Sequence, residues 1–203
     1  MASKARGPRL GTLAVHGGAE KDAREVDAPV VQPLYQSVNF VQELGSSDGL
    51  RYPRYGNAPN AEVVQRRMAA IEGAEASVVM ASGMGATACA LLALLRPGDH
   101  VVASAWIYGG TRALLMQEFT SLGIEVTLVD PLETRVWRKA MRKQTRVIFV
   151  ESPVNPTCRV LDLDAIAVVT KQAGVALVVD STFASPVNLR PLEHGADVSI
   201  HSA

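Results

Sequence analysis

The residues that invite a chemical reading begin with "ASGMGATA" at 81–88, where Gly83 and Gly85 stand just ahead of a helical pattern. A helix start gathers unpaired backbone N–H groups and the positive end of the dipole, and glycine lets the main chain close on an anion. Ser82 or Thr87 adds a hydroxyl donor. The combination suits a phosphate. Gly83-x-Gly85-x-x-Ala88 also fits the loose dinucleotide fingerprint, which calls for an acid at the end of the next strand. That run, "HVVAS", ends in Ser104, so a nicotinamide site falls behind. A third reading has the glycines serve only close packing of strand on helix.

Asp180 closes the apolar run "VALVVD". In an open parallel sheet the carboxyl ends of strands face the ligand crevice. A carboxylate there either caps the following turn near Thr182 or keeps a ring nitrogen protonated, as pyridoxal phosphate needs to act as an electron sink. Tyr108, in "WIYGGTR" at 106–112, follows another apolar run and offers a flat ring, either to stack on a flat cofactor or to lie as a lid over the sheet edge. Glu151 and Asn155, in "ESPVNP", join the same rim, although a proline-bounded turn with Asn also occurs without function. Loops after successive strands thus bring Gly83, Tyr108, Asn155 and Asp180 to one edge, a convergence that separate structural roles do not explain.

The elements that must position these residues follow from the pattern. From Ser77 onward short β-branched runs ("SVVMAS", "HVVAS", "IEVTLVD", "RVIFVES", "VALVVDS", "DVSI") alternate with helix-length segments. This predicts an α/β fold, a mostly parallel sheet with helices on both faces. "RPGD" at 96–99 and "AGV" at 173–175 supply glycine between helix and strand, and Asn60 and Gly73 are the expected cap and stop of a helix carrying Val64, Met68 and Ile71. Residues 1–57, rich in Gly and Pro, are expected to form an extended arm that needs another surface to order it, with residues 58–203 forming the larger domain.

Composition narrows the partners. The 203 residues hold 20 Lys and Arg against 20 Asp and Glu, so no field of one sign gathers nucleic acid or an anionic membrane. Cys89 and Cys158 lack metal spacing or a disulfide framework, which suits a reducing compartment. The basic start has no apolar run after it, and the expectation is a soluble cytoplasmic protein with no metal.

In order and spacing, "AVHGG", "PVVQPLYQSVNF", "YPRYGN", "ASGMGA", "YGGT", "ESPVNP", "VVDSTFASP" and "HGADVSIHSA" resemble the pyridoxal-phosphate enzymes of cysteine and methionine metabolism, from about Leu13 to the last residue. That group includes the cystathionine γ-synthases and γ-lyases, cystathionine β-lyase and methionine γ-lyase. The resemblance implies a fold-type I large domain that binds pyridoxal 5'-phosphate. It implies that Ser82, Gly83, Met84 and Ser202 hold the phosphate and that Tyr108 stacks on the ring and assists proton transfer. It further implies that Asp180 pairs with the ring nitrogen, that Asn155 and Thr182 complete the site, and that Tyr52 and Arg54 reach the phosphate of a neighbouring subunit in a homodimer or homotetramer. The substrate would be an amino acid, cystathionine or an acylated homoserine, with elimination or replacement at Cβ or Cγ. The family continues "HSA" with Thr and the Schiff-base Lys, so the 203-residue chain is expected to be inactive by itself. A non-catalytic fragment that binds the cofactor weakly or pairs with full-length subunits is the alternative. "GNAPN" departs from the family's usual Asn-Pro-Thr, and Gly in "YGGT" stands where methionine γ-lyase has Cys, which puts cystathionine γ-synthase and γ-lyase ahead.

Overall fold

A computed structural model describes residues 7–18, 29–46 and 48–203, so the first six residues and the arm positions 19–28 and 47 lie outside the description. The chain divides into two compact units, one running to Val79 and the other from Met80.

In the second unit five strands form one sheet: β1 (His100–Ser104), β2 (Glu125–Val129), β3 (Thr145–Glu151), β4 (Ala176–Asp180) and β5 (Val198–Ile200). Their spatial order is β2-β1-β3-β4-β5, and every neighbouring pair is parallel. Val101 to Ala103, Val147 to Val150 and Leu177 to Val179 are wholly buried, as the runs without alternation predict for strands covered on both faces.

Successive residues face opposite ways and feed two cores. Val102, Ile148, Val150, Leu177 and Val179 pack with Trp137 of α5 (Thr134–Ala140) and with Ile166, Ala167 and Val169 of α6 (Leu163–Ala173). Val101, Ala103, Val147, Phe149 and Val178 pack with Leu91 of α3 (Gly83–Leu94). The same core takes Leu115 and Phe119, from the π-helical turn Leu114–Phe119 that continues α4 (Gly109–Ala113). Burying each such Val, Leu, Ile or Phe side chain contributes about 1.5–3 kcal/mol, against about 1 kcal/mol or less for surface ion pairs such as Arg146–Asp99. The two cores therefore hold the sheet.

Chain direction explains which helix lies on which face. From β1 the chain crosses by α4 to β2 on one side, then returns past β1 by α5 to β3. Right-handed crossovers in opposite directions require helices on opposite faces. The order of the sheet therefore reverses at β1 and β3, the position where an open α/β sheet forms its crevice.

Local signals account for most boundaries. Asp162 accepts the Ala165 N–H at 2.9 Å to start α6, and Gly174 ends it with φ of +64°. The expected strand at 77–82 is not formed: the segment carries no strand pairing, and Val78, Val79 and Met80 are exposed. The pattern was right for a strand, but a strand also needs a neighbour to take its hydrogen bonds, and none of the described residues pairs with this run.

The first unit holds α1 (Leu10–His16), a 3₁₀ turn at Pro53–Tyr55 and α2 (Pro59–Glu72). α1 was not expected from the sequence. Its following glycine, Gly18, sits at φ of +69° against Arg66 of α2, where an added Cβ would fall 2.4 Å from the Arg66 Cβ. Gly73 ends α2 at φ of +69° as expected, but Asn60 is not the cap. Pro59, whose missing N–H suits the first helical position, starts the helix after Ala58. The Asn60 amide instead accepts the Tyr35 N–H at 3.0 Å and donates to the Tyr35 carbonyl at 2.9 Å.

At the amino-terminal edge of the sheet, buried His100 is held between the Thr145 hydroxyl (Nδ1, 2.8 Å) and the Thr127 hydroxyl (Nε2, 2.9 Å). Burial lowers its pKa from the ordinary 6.5, the Arg142 charge lowers it further, and Glu125 partly opposes both. The unfolded chain then binds the proton more tightly, so stability is lost as pH falls below about 6.5 toward the folded value. His100→Gln keeps a neutral hydrogen-bonding group without the titration. Urea midpoints measured between pH 8 and 5 are expected to fall more steeply for the natural chain than for this variant; parallel curves would refute the assignment.

Candidate functional site

The strand ends fix the site. Asp180 and Glu151 are the last residues of β4 and β3 and lie side by side in register. Beyond β4 the chain turns at Thr182, whose N–H (3.0 Å) and hydroxyl (2.6 Å) both donate to Oδ1 of Asp180. The turn-capping role is therefore real, and since both bonds fall on Oδ1, no donor among the described residues occupies Oδ2. Thr182 also accepts, at Oγ1, the Ser202 N–H at 3.0 Å.

Ser202 in turn meets the glycine turn. A Cβ built on Gly83 would lie 2.5 Å from the Ser202 Cβ and 2.6 Å from its Oγ, so only glycine permits this approach. Ser82 caps α3 by accepting the Gly85 N–H at 3.0 Å. The N–H groups of Gly83 and Met84, in the first turn, have no acceptor four residues back within the helix. Thr87 does not join them: it is buried, and its hydroxyl donates to the Gly83 carbonyl at 3.2 Å.

Tyr108 precedes α4 and is half exposed. Its ring lies over Gly110, where a Cβ would come within 2.5 Å of Cε1, and the Met84 sulfur borders the same point at 3.2 Å. The Thr111 hydroxyl reaches that sulfur at 3.9 Å. The Tyr108 N–H donates to Oε2 of Glu151 at 2.5 Å, and the Asn155 N–H donates to Oε1 of the same carboxylate at 2.7 Å. Glu151 is buried, which raises its pKa; the Asn155 and Tyr108 N–H bonds pull it back, and the Asp180 charge pushes it up again.

The carboxyl edge of one unit thus collects Ser82, Gly83, Met84, Tyr108, Asn155, Asp180, Thr182 and Ser202. Tyr52 and Arg54 belong to the other unit. There the Arg54 guanidinium lies 5.6 Å from the Tyr52 ring centre, and Tyr52 donates its N–H to Asn57 Oδ1 at 2.8 Å. The sequence places Glu151 on the rim without a role and gives the glycines of "YGGT" no part in seating the Tyr108 ring. "VIFVE" ending in an acid beside "LVVD" was the signal for the first. Contact between Gly110 and the Tyr108 ring has no sequence signature.

A parallel sheet covered on both faces, with a glycine turn opening a helix and an acid ending a strand, agrees with the fold-type I large domain that the sequence resemblance implies, the class that holds pyridoxal phosphate. The donor set fits that group: N–H groups and hydroxyls where Gly83 meets Ser202, and a carboxylate oxygen left open on Asp180. The sequence matches the Cys/Met metabolism PLP-dependent enzyme family over residues 11–203, and the chain belongs to that family. It is 37% identical over 204 residues to the L-methionine gamma-lyase of Fusobacterium nucleatum subsp. nucleatum, covering 96% of this chain and 51% of that protein. It is 39% identical to the O-acetyl-L-homoserine sulfhydrylase of Leptospira meyeri, over 94% of this chain and 45% of that one. The crystal structure of metB from Corynebacterium glutamicum superposes with a TM-score of 0.88 at 34% identity, covering 96% of this chain and 50% of that chain. The chain spans about half the length of the curated relatives it matches.

Gly83→Ala is expected to destabilise the chain by about 1–3 kcal/mol through overpacking against Ser202. Gly85→Ala, whose new methyl would meet the Ser82 Oγ at 3.2 Å, is expected to cost much less. Adding Ser202→Gly to Gly83→Ala should recover part of the loss. Urea unfolding of the three variants checks the order.

Proposed function

We propose that the protein carrying this chain is a pyridoxal-phosphate enzyme of sulfur amino acid metabolism, performing elimination or replacement at Cβ or Cγ of cystathionine or an acylated homoserine. The observation that carries this reading is the linked run from Asp180 through Thr182 to Ser202 and Gly83, which joins an acid to an anion cradle. Pyridoxal phosphate, when bound, supplies an electron sink for the bond electrons released at the substrate α-carbon.

This chain's residues divide the remaining work. Gly83 and Met84 N–H groups with the Ser82 and Ser202 hydroxyls bind the phosphate, and Tyr108 stacks on the ring. Asp180 would hold the proton on the ring nitrogen, with Asn155 and Thr182 alongside. Replacement chemistry in one relative and a lyase in another, at similar identity, leave both outcomes within the proposal.

Residues 1–57 act as an arm toward a neighbouring subunit of a homodimer or homotetramer, carrying Tyr52 and Arg54 to its phosphate. Val30, Leu34, Val38, Val41 and Leu44 support this, since they stand exposed along one irregular segment and gain most from burial against a second copy. Among the described residues no helix is long and apolar enough to cross a membrane. Both cysteines are free, which supports a reducing compartment such as the cytoplasm.

Titration with pyridoxal phosphate, followed by absorbance and near-ultraviolet circular dichroism, tests the site. Asp180→Asn is expected to weaken binding about tenfold or more, the scale of one charge-assisted hydrogen bond. Equal affinity in the variant, or tighter binding of a nicotinamide dinucleotide, would overturn the reading. Assay of the full-length protein with cystathionine, and with an acylated homoserine plus cysteine, is expected to give turnover with at least one of them.

A further inference from the structure

We infer that Glu151 is a positioning residue whose carboxylate ties the loop after β1 to the loop after β3 and so sets where Tyr108 and Asn155 stand in the crevice. The inference rests on the cofactor reading above. Its basis is the geometry at the place where the strand order reverses: β1 and β3 are neighbours, and the chain leaves their carboxyl ends toward helices on opposite faces. Loops that diverge in this way need a cross-link if their side chains are to serve one ligand.

Glu151 supplies that link from a buried position, 5% exposed, with Oε2 on the Tyr108 N–H and Oε1 on the Asn155 N–H. It grips the main chain, so it fixes the path of both loops and the first turn of α4, which Tyr108 precedes. Outside it, the Arg159 guanidinium lies 4.7 Å from the Trp106 ring centre and spans the same two loops, but from an exposed position. The buried carboxylate is the firmer of the two because its bonds are charge-assisted and shielded from water.

Residue type matters here for a specific reason. Both partners donate, so both oxygens must accept, and only an ionised carboxylate offers two acceptors on one planar group. Glutamine has nearly the same shape but turns an NH₂ toward one of the two N–H groups. A buried acid with a merely structural role would tolerate that exchange at the price of overall stability alone; a positioning residue would lose the Tyr108 and Asn155 geometry first.

The test compares the full chain with its Glu151→Gln and Glu151→Asp variants. Amide hydrogen exchange at Tyr108 and Asn155 is expected to speed up at least tenfold in Glu151→Gln for one or both amides, while Ala103 and Phe149 within the strands stay protected. Pyridoxal-phosphate affinity should fall about tenfold, with an altered circular dichroism of the bound cofactor. Glu151→Asp, which keeps two acceptor oxygens on a shorter stem, should fall between. Unchanged exchange at both amides overturns the clasp. Faster exchange with unchanged affinity and dichroism overturns its positioning role. Should Glu151→Gln fail to fold, Glu151→Asp decides by the same readouts. Failure of the natural chain to bind the cofactor would count against the proposed function, and the exchange rates would still decide whether the clasp exists.

Discussion

Parallel pairing sends the carboxyl end of every strand to the same edge, and this constraint governs where chemistry gathers in the second unit. Ser104, Glu151, Asp180 and Ile200 all end there. The long connections that parallel strands demand become helices, and right-handed crossing assigns those helices to faces according to the direction of travel. Both faces are then filled by Val, Ile, Leu and Phe side chains, so polar side chains from the strands find room chiefly at the ends. His100 takes the amino-terminal end with two threonines; the acids take the other.

Much of this was legible in the sequence because parallel strands buried on two faces have an unmistakable composition. "VIFV" and "LVVD" carry their own assignment, and Gly174 and Gly73 sit at left-handed positions that punish any side chain. The run at 77–82 reads the same way yet forms no strand, since composition states a preference and a ladder requires a partner. Asn60 was misread because a residue fit to cap a helix is equally fit to bond a passing backbone, here that of Tyr35. The places of Asp180 and Tyr108 at the carboxyl edge were legible because each stands at or just after the end of an apolar run. The service of Glu151 to two loops, and the space Gly110 leaves for a ring, depend on contacts across the fold that local pattern does not record.

The first unit follows a different economy. α1 and α2 are ordinary helices, but Val30, Leu34, Val38, Val41 and Leu44 between them are exposed, and among the described residues of 29–46 there is no strand or helix to organise them. Its local order comes from side chains that mimic backbone pairing: Asn60 with Tyr35, and Asn57 with Tyr52 and the Leu50 carbonyl. Asn57 closes the turn that carries Tyr52 and Arg54.

Thr182 both donates to Asp180 and accepts from the segment that meets Gly83, so the strand-end acid and the glycine turn are braced by one side chain. Braced ends keep a constant span. On the proposed reading such a span acts as a ruler: a rigid aromatic ligand whose anionic arm matches the gap engages both ends at once, whereas one with a shorter or longer arm must give up one of them. Selection by length would then operate before any reactive group is presented.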